Sequence, residues 1–232
     1  MQGMNVAYVQ KTSFIDYPGR ISAVVFTRGC NFRCPYCHNP ELVVPERYCG
    51  TIRQDDLFSY LDRRKGKLDA VVVTGGEPTL QADLIPFMER IKSMGFLVKL
   101  DTNGSRPQIL REAIGKGIPD YLAMDIKAPW EKYALVTGSL VNITDIRDSI
   151  NLIRASSIPH EFRTTLPETL LKPDDVRAIG RMIEGASLYI LQKFIPSKHV
   201  EKAYEGQASM PDEDLEPLVT ELQSLVGRCM VR

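Results

Sequence analysis

The 232-residue sequence has no net charge, with 29 Lys and Arg set against 29 Asp and Glu. That balance gives no electrostatic reason to expect a nucleic acid or an acidic membrane surface as partner. No apolar run approaches the roughly 18–20 residues needed to span a bilayer. The stretch Met1 to Lys11 lacks the charged, then apolar, then small-residue succession of a secretion signal, so a cytoplasmic location is expected. Cysteine is scarce too. Five residues, three of them clustered, exclude a disulfide frame and read as metal binding in a reducing compartment. No internal repeat, low-complexity tract or linker is visible. A single domain over 1–232 is expected, with a core over about 20–195 and a helical extension over about 198–232.

The stretch that stands out is Arg28 to Pro40. Cys30, Cys34 and Cys37 form a C-x3-C-x2-C pattern directly after the apolar run Ile21 to Phe26. A disulfide would use two of these thiols and leave one over, so thiolates converging on a metal centre fit better. An iron–sulfur cubane takes four thiolates, one per iron. Three local cysteines leave one iron with open positions, where a substrate can sit. The rival is zinc on the three cysteines plus His38, weakened because Cys37 and His38 are adjacent and would struggle to reach one ion. Cys49 and Cys229 stand apart and read as ordinary free thiols.

Strand and helix patterns alternate about six times. Strands are expected over 21–27, 68–74, 96–100, 121–126, 161–166 and 187–194. Ala70-Val71-Val72-Val73 is the wholly apolar, β-branched run of a parallel strand buried on both faces. Helices are expected over 54–64, 80–94, 107–115, 142–155, 173–182 and 211–225. Pro35 and Pro40 are expected to keep the cysteine loop non-helical. The alternation predicts an α/β protein with a parallel sheet. Cys30, Glu77, Asp101, Asp125, Arg163 and Gln192 all fall near carboxyl ends of successive strands. One rim of loops drawing on six strands points to a partial (β/α)6 barrel rather than an open doubly wound sheet.

Cys30-x3-Cys34-x2-Cys37, with Tyr36 before the last cysteine, followed by Gly75-Gly76-Glu77-Pro78 after the second strand, resembles the radical S-adenosylmethionine (SAM) enzymes. Within them, Lys11-Thr12-Ser13-Phe14-Ile15-Asp16-Tyr17-Pro18-Gly19 and Cys37-His38-Asn39-Pro40-Glu41-Leu42 resemble the activating proteins of anaerobic ribonucleoside-triphosphate reductase. More loosely, they resemble those of pyruvate formate-lyase. The resemblance implies a [4Fe-4S] cluster on Cys30, Cys34 and Cys37, with SAM chelating the fourth iron. It further implies reductive cleavage of SAM to a 5′-deoxyadenosyl radical and removal of a hydrogen from a partner's glycine.

Roles for other residues follow from the same resemblance. Tyr36 would place backbone against adenine, Gly75 and Gly76 would let backbone approach the methionine moiety, and Glu77 would orient its ammonium or brace the loop. Asp101, Thr102 and Asn103 would lie near the methionine carboxylate, or form a capping turn. Asp125 and Lys127 match an Asp-x-Lys pattern in which lysine contacts SAM. Asp101 and Asp125 could hold a monovalent cation, against a plain Asp–Lys ion pair. Arg163 could grip the SAM carboxylate and Gln192 the ribose, while His38 would cap the cluster loop. Some activases carry a cysteine-rich insert after the first motif. Only Cys49 lies between Cys37 and Gly75 here, so electrons are expected from a separate flavodoxin or ferredoxin. A small-molecule radical SAM enzyme of the 7-carboxy-7-deazaguanine synthase type, and a non-catalytic zinc module, are the competing readings. The region 135–144 matches no role.

Overall fold

In a computed structural model, residues 3–48, 50–196, 200 and 202–232 are described; Cys49 lies outside them. The chain divides into two compact units. The first comprises Met1–Asn31, Glu41–Thr102 and Arg106–Leu122, and the second Phe32–Pro40, Asn103–Ser105 and Ala123–Arg232.

In the first unit, β1 (Val6–Ser13) runs antiparallel to β2 (Ser22–Thr27), with Val9 opposite Val25. Next come β3 (Ala70–Gly75) and β4 (Leu97–Thr102), both parallel, with Val24 beside Val72 and Val72 beside Lys99. The apolar runs of β2 and β3 are buried almost throughout, as parallel strands covered on both faces should be. Short α1 (Pro40–Val43) and longer α2 (Gln54–Asp62), α3 (Leu84–Ser93) and α4 (Pro107–Gly115) complete the connections. Leu57, Phe58 and Leu61 of α2 are buried, as are Leu84, Ile85, Phe87, Met88 and Ile91 of α3. Phe58 and Phe87 meet with ring centres 5.4 Å apart. Tyr17, from the turn after β1, packs with Val24, Ala70 and Val72.

β5 (Tyr121–Asp125) ends in the second unit, where the strand order is β5, β6 (His160–Leu166), β7 (Tyr189–Lys193), β8 (Cys229–Val231). β6, β7 and β8 are parallel, with Thr165 beside Gln192 and Leu191 beside Val231. The intervening helices are α5 (Tyr133–Thr137), α6 (Ile143–Ala155), α7 (Pro173–Met182) and α8 (Asp212–Leu222). The Asn142 side chain accepts the Thr144 N–H and starts α6. A Cβ on Gly180 of α7 would come within 2.2 Å of Leu222 in α8, so glycine lets these helices close on each other.

The expected α/β class with a parallel sheet is present, and α4 and α7 have the bounds read from sequence. Within each unit, successive strands are spatial neighbours, without the reversal of a doubly wound sheet. Three elements differ from expectation. β1 is an added antiparallel strand, the 198–232 stretch carries β8 as well as a helix, and Pro40 opens α1 instead of blocking it, since proline costs nothing at a first helical position. Among the described residues, no helix is long and apolar enough to cross a membrane.

Candidate active site

The residues singled out from sequence fall in both units, and each set has its own geometry. In the first unit, β2 delivers Cys30 and β3 delivers Gly75-Gly76-Glu77. Gly75 has φ +121°, and a Cβ there would lie 2.3 Å from the Thr27 nitrogen. A Cβ on Gly76 would lie 2.1 Å from the Gly29 carbonyl oxygen. The space a side chain would need is thus filled by the base of the cysteine loop. The contact is held by Gly76 N–H to the Thr27 carbonyl (2.9 Å) and Glu77 N–H to the Gly29 carbonyl (2.7 Å). Gly29 N–H in turn donates to the Leu42 carbonyl (2.7 Å), and Gln81 Nε2 donates to the Arg28 carbonyl (2.6 Å).

Glu77 is fully buried. Its Oε1 accepts Thr79 N–H (3.0 Å), the Thr79 hydroxyl (2.5 Å) and the Thr102 hydroxyl (2.8 Å). Of its two expected roles, the bracing one is visible, and Thr102 is part of the brace. Asp101 stands 3.5 Å from Lys99 Nζ. Lys99 is 1% exposed, lies 5.4 Å from the Tyr121 ring centre and donates to the Asp16 carbonyl (2.6 Å). Sequence reasoning passed over Lys99, although its spacing of two from Asp101 puts both on one strand face.

The second unit holds Cys34, Tyr36 and Cys37. Cys37 N–H donates to the Cys34 carbonyl (3.0 Å) in a tight turn. Arg33 N–H donates to the Thr137 carbonyl at the end of α5 (2.8 Å), and a Cβ on left-handed Gly138 would lie 2.4 Å from the Arg33 carbonyl oxygen. Phe32 meets Tyr133 edge-on at 6.4 Å. The region without a matched role is therefore, at its start, a buttress for the cysteine loop. His38 Nε2 donates to the Ile195 carbonyl (2.7 Å), with its ring 5.5 Å from that of Phe194. That contact suits a loop cap. The Asn103 side chain accepts Ser105 N–H (3.0 Å), a turn closed on itself.

Asp125 is the electrostatic hub of this unit. Its Oδ1 accepts Arg163 Nε (2.8 Å) and its Oδ2 accepts Lys127 Nζ (3.0 Å). Burial pushes the Asp125 carboxyl up, but Arg163 and Lys127 outweigh it and hold it well below the usual carboxylate range. Burial pushes the Lys127 ammonium down, and Asp125 outweighs that in turn, so Lys127 stays charged. Arg163 also lies 3.7 Å from Glu161, which is fully buried and has Arg232 at 3.9 Å. Neither Glu161 nor Arg232 was singled out from sequence, though Glu161 shares a strand face with Arg163 two residues on. Gln192 is half-buried beside Thr165. Of the two readings of Asp101 and Asp125, the ion pair is visible at each, with Lys99 and with Lys127 and Arg163.

Cys30, Cys34 and Cys37 form no disulfide and are half-buried. Burial pushes the Cys34 thiol up to about 11, against the pull of Lys127. Among the described residues, no three His, Cys, Asp or Glu side chains close on one point as a finished metal cage.

A sequence profile described as the Radical SAM superfamily matches residues 24–180, more than half of the chain. The chain belongs to the radical SAM superfamily. A Methanocaldococcus jannaschii protein named as a glycyl-radical enzyme activating enzyme is 33% identical over 214 residues, covering 90% of this chain and 87% of its own length. The pyruvate formate-lyase-activating enzyme of Listeria monocytogenes is 33% identical over 181 residues, 71% of this chain and 72% of that protein. Among solved structures, Streptococcus suis SuiB bound to S-adenosylmethionine matches 88% of this chain and 48% of its own chain, with a TM-score of 0.66 at 12% identity.

Radical SAM enzymes use a [4Fe-4S] cluster and SAM, and this chain has residues that fit both. Three cysteines with no fourth in the loop are the donor set that a cubane with one open iron would take. Lys127 and Arg163 converge on Asp125 and place two cationic donors together in the second unit, the kind of group that grips a carboxylate ligand. The buried Tyr36 hydroxyl has no formed hydrogen bond, as a donor awaiting an added acceptor would.

Proposed function

We propose that this radical SAM enzyme activates a glycyl-radical enzyme by removing a hydrogen atom from a glycine of that partner. We further propose that the partner is anaerobic ribonucleoside-triphosphate reductase and that a flavodoxin or ferredoxin delivers the electron. The observation that carries the first part is the alignment over 90% of the chain with a protein named as such an activating enzyme. The narrower partner is supported by the stretches Lys11 to Gly19 and Cys37 to Leu42.

When bound, the cluster supplies the electron that splits SAM into methionine and a 5′-deoxyadenosyl radical. In this reading Cys30, Cys34 and Cys37 hold the cluster, and Lys127 favours the thiolate of Cys34. Glu77, braced by Thr79 and Thr102, keeps the Gly75-Gly76 turn seated against Thr27 and Gly29. That seating presents the β3 end for the methionine part of SAM. Arg163 and Lys127, aligned by Asp125, take the methionine carboxylate. Tyr36, Asp101, Asn103 and Gln192 line the remaining cofactor contacts.

The test is anaerobic reconstitution, expected to give about four irons per chain. Mixing with SAM, a reductant and the anaerobic reductase should then give a glycyl doublet in electron spin resonance. Formation of 5′-deoxyadenosine with no radical on that reductase overturns the named partner. Absence of a radical on any glycyl-radical enzyme overturns the activase reading.

A further inference from the structure

We propose that Lys99 is a positioning residue for the cofactor: its ammonium offsets the charge of Asp101 from inside the fold, so that the end of β4 accepts the carboxylate end of SAM. The inference rests on the reading of Asp101 as a cofactor contact near the methionine carboxylate. Lys99 and Asp101 are two residues apart on β4 and share a face of the strand. Lys99 Nζ lies 3.5 Å from Asp101 Oδ1. The Lys99 side chain is 2% exposed and that of Asp101 12%. A ligand coming from solvent therefore meets Asp101, while Lys99 acts on it through that carboxylate.

The ammonium is fixed where it stands. It donates to the Asp16 carbonyl (2.6 Å) and lies 5.4 Å from the Tyr121 ring centre. The Ser13 hydroxyl donates to the Asp16 carboxylate and accepts the Ile15 and Asp16 N–H groups (3.2 Å each), so the anchoring carbonyl sits on a closed turn. Val72, the neighbour of Lys99 on β3, belongs to an apolar cluster with Tyr17, Val24 and Ala70. A buried ammonium is costly unless paired, and an apolar side chain would fill such a place more cheaply. The charge does have an electrostatic use here. Asp101 alone would repel a second carboxylate brought to the same end of β4. A cation 3.5 Å away and shut off from solvent lowers that repulsion with little screening. On the other face of β4, the Thr102 hydroxyl donates to Glu77 (2.8 Å), so the strand end is held from both sides.

The test is equilibrium dialysis of SAM against the anaerobically reconstituted protein, read as Kd. Lys99→Met should weaken SAM binding about tenfold, and in turnover the loss should fall on KM for SAM more than on kcat. In an Asp101→Asn background, where no carboxylate needs offsetting, the same substitution should change Kd by less than about twofold. A loss in that background as large as in the parent makes Lys99 a general support of the fold and overturns the proposal. If Lys99→Met does not assemble a cluster, Lys99→Gln, which keeps a polar head without the charge, takes its place with the same two expectations. An unchanged Kd in the Lys99 variants, where Asp101→Asn shifts it, refutes the role of Lys99 alone. An unchanged Kd in both removes Asp101 from the cofactor contacts and the proposal with it.

Discussion

Two carboxylates, one fully buried in the first unit and one half-buried in the second, meet the same problem with different partners. One oxygen of Glu77 in the first unit takes three neutral donors: the Thr79 N–H and the hydroxyls of Thr79 and Thr102. Asp125 in the second unit is held by two cations, Lys127 and Arg163. Neutral donors are directional and short-ranged, so the Glu77 arrangement fixes a shape. Cations act at longer range and set a potential, so the Asp125 arrangement fixes a charge. The first unit presents backbone through a tight glycine turn, and the second presents a cluster of charged side chains.

The largest test of this contrast lies in the cysteine loop itself. Cys34→Ala should reduce SAM cleavage to background, read as 5′-deoxyadenosine formed under reducing conditions. Retained turnover would remove Cys34 from the site. Next comes the glycine turn. Gly76→Ala places a methyl 2.1 Å from the Gly29 carbonyl oxygen, where no flexible side chain can yield. It should lower stability by about 3 kcal/mol, at the upper end for a strained backbone position, measured by the urea midpoint. A tolerated alanine would show that the turn is not held by shape.

Asp125→Asn should cost about 2 kcal/mol. That is less than a fully buried ion pair costs on losing one partner, because the Asp125 side chain is 30% exposed. Its pH signature follows from the depressed carboxyl. Stability from such a group is present above the unfolded value of about 3.9 and is lost as pH falls below it. Acid unfolding below about pH 4 should therefore be shallower in Asp125→Asn than in the parent. Parallel acid limbs would mean that Lys127 and Arg163 do not stabilise the carboxylate. The smallest effect is expected for Thr102→Val, about 1.5 kcal/mol, the lower end for a hydrogen bond to a charged group. Its loss should be insensitive to salt, and a marked salt dependence would erase the distinction between the two carboxylates.

Much of this was legible in the sequence because its strongest signals are local. The β-branched runs of β2 and β3, the proline-led starts of α4 and α7 and the spacing of the cysteines each lie within a few residues. β1 was missed because Val6 to Ser13 mixes polar and exposed positions, as an edge strand does. β8 was missed because three residues are too few to show a period. Lys99 was hidden inside an otherwise apolar strand, and its partner Asp16 carbonyl is 83 residues away. Tyr36 was noticed for its backbone, since a motif records position and not where a hydroxyl points. The start of the 135–144 region carried no readable signal because its work is done by the Thr137 carbonyl and by the lack of a side chain at Gly138.

That last pair has a bearing on how the protein is filled. Arg33 is pinned from both its nitrogen and its oxygen side by α5 and the residue after it. This part of the thiol-bearing segment thus takes its course from the polypeptide and not from iron. The disorder such a segment would otherwise surrender to a metal is already gone when folding ends.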